Sequence, residues 1–177
     1  MGSIKAPKRV LFFSSVIFND EKNLADAKEM LRYKLGDFQE ETPHIIFSQT
    51  DYYNAEMGDK LSRIFILFEP LLERDKLSDI KLETNGIEDR LSVKDRRTVN
   101  IDPGYISLEN VILATTKGYA HRIYIGKGIY GDLTLTFHAG TFRALEWTYP
   151  DYGSEHIVSL LNRWRDVLKG KLKDAGN

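Results

Sequence analysis

Val10-Leu11-Phe12-Phe13-Ser14-Ser15-Val16-Ile17-Phe18 is the stretch whose reading decides the fold. Side chains along a strand alternate between two faces, and here both are apolar. Val10, Phe12, Val16 and Phe18 share one face; Leu11, Phe13 and Ile17 share the other. A strand of this kind lies inside a sheet covered on both sides. Leu61 to Glu69 repeats the pattern, with Leu61, Phe65 and Leu67 against Ile64, Ile66 and Phe68.

Between and after these strands the helical signals are regular. Asn19 or Asp20 caps a helix that carries Leu24, Ala27, Met30, Leu31 and Leu35 on one side and ends at Gly36. Ile45 to Phe47 reads as a short edge strand after Pro43, and Asp51-Tyr52-Tyr53-Asn54 as a loop. Lys76 to Ser92 spaces Leu77, Ile80, Ile87 and Leu91 as a second amphipathic helix. Val99 to Asp102 is expected to be a short strand stopped by Pro103-Gly104. The order is strand, helix, strand, strand, helix, strand. In a ferredoxin-like split βαβ core (βαββαβ) the first and third strands lie in the middle, where the hydrophobic pattern also puts them. The expected fold is therefore α+β, one domain over residues 1–177.

Apolar residues on both faces require cover on the second face. The expected cover is a short helix from Ser107 to about Lys117, a β-hairpin from Tyr119 to Phe137, and a C-terminal helix. The last starts near Ser154 and repeats Ile157, Leu160, Leu161, Trp164, Leu168 and Leu172. Two hairpin registers compete. A two-residue turn at Lys127-Gly128 would place Arg122 among Leu133, Leu135 and Phe137, a costly position for an unpartnered charge. A three-residue loop, Gly126-Lys127-Gly128, puts glycine at the left-handed bulge position. It pairs Arg122 with Asp132 and Ala120 with Thr134, and gives Ile123, Ile125, Ile129, Leu133 and Leu135 a common face. The second register is expected, with His121 and Arg122 on opposite faces.

Composition narrows the function classes. The 177 residues include 25 basic and 26 acidic ones, a formal charge of −1, with a pI near 6.4. Nucleic-acid binding through bulk electrostatics is disfavoured. There is no cysteine, so thiolate chemistry and disulfides are out and a cytoplasmic location is the default. No apolar run reaches the roughly 18 residues of a membrane helix, and Lys8 and Arg9 interrupt any signal-like core.

Several separated blocks, in order, resemble one family. They are Asn100-Ile101-Asp102-Pro103-Gly104-Tyr105, Leu113-Ala114-Thr115-Thr116-Lys117-Gly118-Tyr119-Ala120-His121-Arg122-Ile123-Tyr124, Gly126-Lys127-Gly128-Ile129-Tyr130 and Trp147-Thr148-Tyr149-Pro150-Asp151-Tyr152. Asp51-Tyr52-Tyr53 with Met57-Gly58 adds to the match. Together they are similar to the prokaryotic family filed as domain of unknown function 4416, over nearly the whole chain. The resemblance implies no particular activity. Some relatives are labelled GTP-binding, but a phosphate loop needs a glycine-rich turn followed by Lys and Ser or Thr at a helix start. Gly126-Lys127-Gly128 has neither the hydroxyl nor the helix.

Candidate site residues concentrate between Asn100 and Tyr124. Asn100 and Asp102 share a strand face and could orient ligand hydroxyls, or Asp102 could cap the backbone of the Pro103-Gly104 turn. Lys117 could bind an anion, or sit at a helix C-terminus for the macrodipole. His121 could move protons given a carboxylate orienter, or be a core histidine. Arg122 could clamp an anion, or simply pair with Asp132. Tyr105 and Tyr124 complete the group, and Tyr52-Tyr53 and Trp147-Tyr149-Tyr152 could stack a base or sugar. Lys81, Asn85 and Glu88 form a polar stripe on the second helix, expected to face solvent. No spacing suits a metal and no cofactor is implied. If the strand end, helix end and hairpin converge, the expected function is a cytosolic binding protein or enzyme for a small anionic or nucleotide-like ligand, with Lys117 and Arg122 on the anion and His121 and Asp102 in proton or orienting roles. The alternative is a homo-oligomeric or protein-interaction module pairing through the edges at Ile45–Phe47 and Val99–Asp102.

Overall fold

A computed structural model describes residues 2–47, 54–58 and 60–176; the Asp51-Tyr52-Tyr53 block lies outside them. The elements are β1 (Val10–Phe18), α1 (Glu21–Leu35), β2 (Phe38–Glu41), β3 (Ile45–Phe47), α2 (Asn54–Met57), β4 (Leu61–Leu72), α3 (Leu77–Leu91), β5 (Val99–Ile106), β6 (Asn110–Thr115), β7 (Arg122–Gly126), β8 (Ile129–His138), β9 (Thr141–Ala144) and α4 (Glu155–Asp174). The nine strands form one sheet in the order β2-β4-β1-β5-β6-β8-β7, with β3 paired to β4 and β9 to β8. All the pairings are antiparallel. The fold is α+β.

The two doubly apolar strands are central neighbours, and each of their faces has its own core. Val10, Phe12, Val16, Phe18, Ile64, Ile66 and Phe68 pack under α1 and α3. Leu11, Phe13, Phe65 and Leu67 pack under α4 around the buried Trp164. Asp20 caps α1 by accepting from the N–H groups of Lys22 and Asn23, which satisfies donors the helix leaves open. No described helix is long and apolar enough to cross a membrane.

Several expectations are corrected. The segment from Ser107 is not a helix. The Ser107 hydroxyl accepts from the N–H groups of Glu109 and Asn110, a tight turn that sends the chain back as β6. Val111 and Leu113 then face α4, while Ile112 and Ala114 face the other core. β6 is thus apolar on both faces, as β1 is. β2 and β9 are additional short strands.

β5 does not stop at Pro103-Gly104 but runs through both to Ile106. β6 pairs with it only from Gly104 to Ile106, so the N–H that Pro103 lacks is not needed on that side. Val99–Asp102 therefore pairs with β1 on one side only, and α3 covers its other side through Glu88 and Lys81, so it is not the unshielded edge expected.

The β7–β8 strands pair in the expected register, but not through the expected three-residue loop. The turn is the two-residue Lys127-Gly128, closed by Gly126 opposite Ile129, and a bulge between Tyr124 and Gly126 restores the register. Arg122 pairs with Asp132 and Tyr124 with Tyr130, and Lys127 and Gly128 take positive φ. Ala120 precedes the strand and has no partner in the ladder. The expected common apolar face does not form. Between its partners Val111 and Ile112, β8 carries a bulge at Thr134, so Leu135 joins the α4 core while Ile129 joins the other. Ile123, on edge strand β7, is 72% exposed.

At Gly104 the sheet leaves no room for a side chain. A Cβ there would lie 2.6 Å from the Ile112 carbonyl oxygen and 2.7 Å from Leu113 Cδ2. A backbone oxygen cannot move aside as a flexible side chain can. Gly104→Ala is therefore expected to destabilise the protein by about 1–3 kcal/mol, read as a lower urea midpoint with an unchanged m-value. An unchanged midpoint would show that β5 and β6 can separate further at no cost.

Candidate functional site

The α4-side face of the sheet changes character along its length. Beyond Phe13 and Phe65 the next residues on it are Ser15, Ile17, Arg63, Asn100 and Asp102, in register across β1, β4 and β5. Here β5 and β6 also part, since Val99 to Pro103 has no β6 partner. Two side chains of α3 take the backbone of β5 instead. Glu88 Oε1 accepts from the Ile101 N–H at 2.6 Å, and Lys81 Nζ donates to the Ile101 carbonyl at 3.0 Å. Lys81 is 6% and Glu88 7% exposed and Asn85 is half-buried, so two of the three residues of the polar stripe expected to face solvent are buried.

From this split the polar groups link onward. Asn100 Nδ2 donates to Asp102 Oδ2 at 2.8 Å, and Lys81 Nζ lies 3.4 Å from Asp102 Oδ1. Arg97 donates to Asn100 Oδ1 at 2.9 Å and has Glu88 Oε2 at 3.8 Å. Arg63, 6% exposed, donates from Nε to Ser15 Oγ at 2.6 Å and pairs with Asp151. Its guanidinium also lies over the rings of Phe65 and Tyr152. Asp132 takes Arg122 Nε at 2.8 Å, and Arg122 also reaches the Lys117 carbonyl and the Tyr149 hydroxyl.

These groups surround one cleft of about 680 Å³, a volume within the range of small-molecule sites. Its described lining includes Arg63, Lys81, Glu88, Asn100, Asp102 and Arg122, with Ile17, Phe47, Tyr149 and Tyr152 as apolar and aromatic wall.

Of the residues singled out from the sequence, Asn100, Asp102, Lys117 and Arg122 line this cleft. Asp102 caps no turn, because Pro103-Gly104 is strand. Lys117 is exposed and follows β6, not a helix. His121 does not line the cleft. It stacks on Trp147 with ring centroids 4.9 Å apart and has Nε2 3.3 Å from Asp132 Oδ2. His121 and Arg122 therefore meet the same carboxylate oxygen, contrary to the opposite faces expected. His121 belongs to the turn before β7, where strand alternation does not apply. Tyr105 lies on the other face, edge-on to Phe12, and Tyr124 is exposed on β7 against Tyr130. Neither lines the cleft. Among the described residues no group of three or more His, Asp or Glu is arranged to hold a metal.

The sequence reading missed Arg63, Glu88, Lys81 and Asp151. Arg63 had a signal, being the one charge within Leu61 to Phe68. Lys81 and Glu88 sat in a noticed stripe whose burial depends on the parting of β5 and β6.

An α+β protein with one large charged cleft where its sheet splits is the class that fold and site define. The chain belongs to the family described as Domain of unknown function (DUF4416), whose profile matches residues 8–167. No curated protein and no solved structure matches it.

Burial pushes Glu88 up to about 7, against the opposing pull of Lys81, the Ile101 N–H bond and Arg97. The folded state therefore favours its protonated form. The stability this confers is complete below pH 4.5, the ordinary carboxyl value, and is lost as pH rises through 7. Glu88→Gln keeps an acceptor for the Ile101 N–H and removes the titration. Between pH 4.5 and pH 8 the unsubstituted protein should lose roughly 3 kcal/mol relative to this variant. Urea titrations at the two pH values measure it, and a constant difference would mean that Glu88 titrates as an ordinary carboxyl group.

Proposed function

We propose that this cleft binds a small anionic or nucleotide-like ligand in the cytoplasm, as a binding protein or as an enzyme acting on that ligand. The observation that carries the reading is the convergence of Arg63, Lys81, Lys117 and Arg122 with Asn100 and Asp102 around one cavity of ligand size. Lys117 and Arg122 take the anion, Asp102 orients the ligand, and His121 acts through Asp132. Tyr149, which is exposed, supplies wall on which a ring can lie. The strands β2 and β3, β4, β1 and β5, with α1 and α3 on one face, support reading that half as a ferredoxin-like unit, the rest of the sheet being an extension of it.

A second reading, a protein-interaction or homo-oligomeric module, draws support from the exposed Ile123 and Tyr124 on edge strand β7. A concentration-independent monomer in light scattering would argue against it.

A thermal-shift screen of nucleotides and phosphorylated metabolites tests the first reading. A ligand present at 100 times its Kd should add about 2.7 kcal/mol of apparent stability. Lys117 is exposed, so Lys117→Ala should abolish the ligand-dependent shift and leave the midpoint of the ligand-free protein within about 0.5 kcal/mol of its starting value. If no anion moves the midpoint of the unsubstituted protein, the reading is wrong.

A further inference from the structure

Tyr152 is 3% exposed, and its hydroxyl makes no hydrogen bond among the described residues. The ring itself is well accounted for. It lies edge-on to Phe65 and beneath the Arg63 guanidinium, whose Cζ is 5.0 Å from the ring centroid. The hydroxyl is not. Ser15 Oγ stands beside it but outside hydrogen-bond geometry, and accepts from Arg63 Nε instead. Buried polar groups in folded proteins nearly always have partners, and one without calls for an explanation in function or in a ligand. Ser14 Oγ and Trp164 Nε1 also lack a partner, but neither residue lines the cleft. Tyr152 does.

The hydroxyl lies in the field of Arg63, Asp102 and Asp151, all of which line the cleft, so it is at the cleft end of the residue and not at the α4 end. Burial pushes the phenol above its ordinary value, against the opposing pull of Arg63. It therefore keeps its proton and stands as a donor. Asp151 is already engaged, with Oδ1 accepting from the Tyr152 N–H at 2.8 Å and Oδ2 from Arg63. The bonds of Arg63 to Ser15 and Asp151 do not exhaust its N–H groups. Donors thus meet at this point, and what they suit is an acceptor oxygen. Its charge is decided by the groups already there. A carboxylate or phosphate would share one guanidinium with Asp151, nearly out of water and in the field of Asp102, which is costly. An uncharged carbonyl oxygen accepts from the same donors without that cost.

Resting on the reading that the cleft binds a small anionic or nucleotide-like ligand, we propose that Tyr152 and Arg63 form a subsite for an uncharged carbonyl oxygen of that ligand, separate from its anionic group. The lactam carbonyl of a nucleobase and the ketone of an oxo acid both present such an oxygen.

Isothermal titration with two matched pairs of probes separates these sources. Inosine monophosphate is set against adenosine monophosphate, which has an amino group in place of the carbonyl, and levulinate against 4-hydroxypentanoate. In one pair the carbonyl member should bind about tenfold more tightly, the factor expected from one hydrogen bond, and that pair identifies the source. Tyr152→Phe should bring the two members of that pair to within about twofold of each other, at the affinity of the weaker one. The same substitution should raise the urea midpoint of the ligand-free protein, because it removes a buried hydroxyl that has nothing to bond. A lower midpoint would show that the hydroxyl has a structural partner, such as Ser15, and would overturn the subsite. Equal binding within both pairs, or an advantage that persists in Tyr152→Phe, would overturn it too while leaving the anionic reading standing. Binding by none of the four probes would also overturn it, and the thermal-shift screen then decides the anionic reading by itself.

Discussion

A buried strand that parts from its neighbour must find other partners for its backbone, because an unpaired N–H or C=O costs nearly as much as a lost hydrogen bond. In this protein the parting is at Ile101. Glu88 and Lys81 take its N–H and its C=O, doing from a helix what β6 does for Gly104 to Ile106. Much else depends on that substitution. It lets β5 and β6 diverge, lets Pro103 stand inside a strand, and leaves between the two strands a cavity that an unbroken sheet could not hold. It also brings two ionisable groups into the interior beside the cavity.

Buried charges are poor stabilisers. The cost of removing them from water is commonly as large as the attraction they gain, whereas stripping one partner from such a pair is strongly destabilising. The groups around the cleft are arranged accordingly. Arg63 has Ser15, Asp151 and two aromatic rings; Asp102 has Lys81 and Asn100; Asp132 has Arg122 and His121. Each is held in place by its neighbours, at little net gain to the fold. Such a network is understandable as the preorganised lining of a polar site. Stability comes from the two apolar cores on either side of β1 and β4.

Those cores were the legible part. The alternation in β1 and β4, the capping of α1 and the apolar stripe of α4 are local patterns, and each element stands where its pattern puts it. Pairing partners were less legible. The Ser107 segment has apolar residues that fit a helix or a doubly covered strand, and length alone did not separate the two. Pro103-Gly104 carries a strong turn signal that an unpaired strand edge overrides. For the candidate site, Asn100, Asp102, Lys117 and Arg122 could be named from their chemistry and proximity in sequence. Lys81, Glu88 and Asp151 could not, because their burial follows from a gap between strands that no local pattern encodes. Alternation also misled at His121, one residue before the strand to which it was applied.

The bulge at Thr134 shows how far the site reaches into the sheet. Without the extra residue, Asp132 and Leu135 could not serve the faces they do, one supplying the cleft and the other the α4 core. A bulge needs its displaced backbone groups satisfied, and the segment after β9 does this. Thr148 Oγ1 donates to the Thr134 carbonyl at 2.6 Å and Trp147 Nε1 to the Leu133 carbonyl at 2.8 Å. The same segment then sends Tyr149 to Arg122 and Asp151 to Arg63, while Trp147 stacks on His121. Six residues thus fix the bulge, orient a histidine and bind two of the arginines of the cleft. The Trp147–Tyr152 block is constrained by that combination of contacts, which ties β4, β7 and β8 together around the cavity as no single strand pairing does.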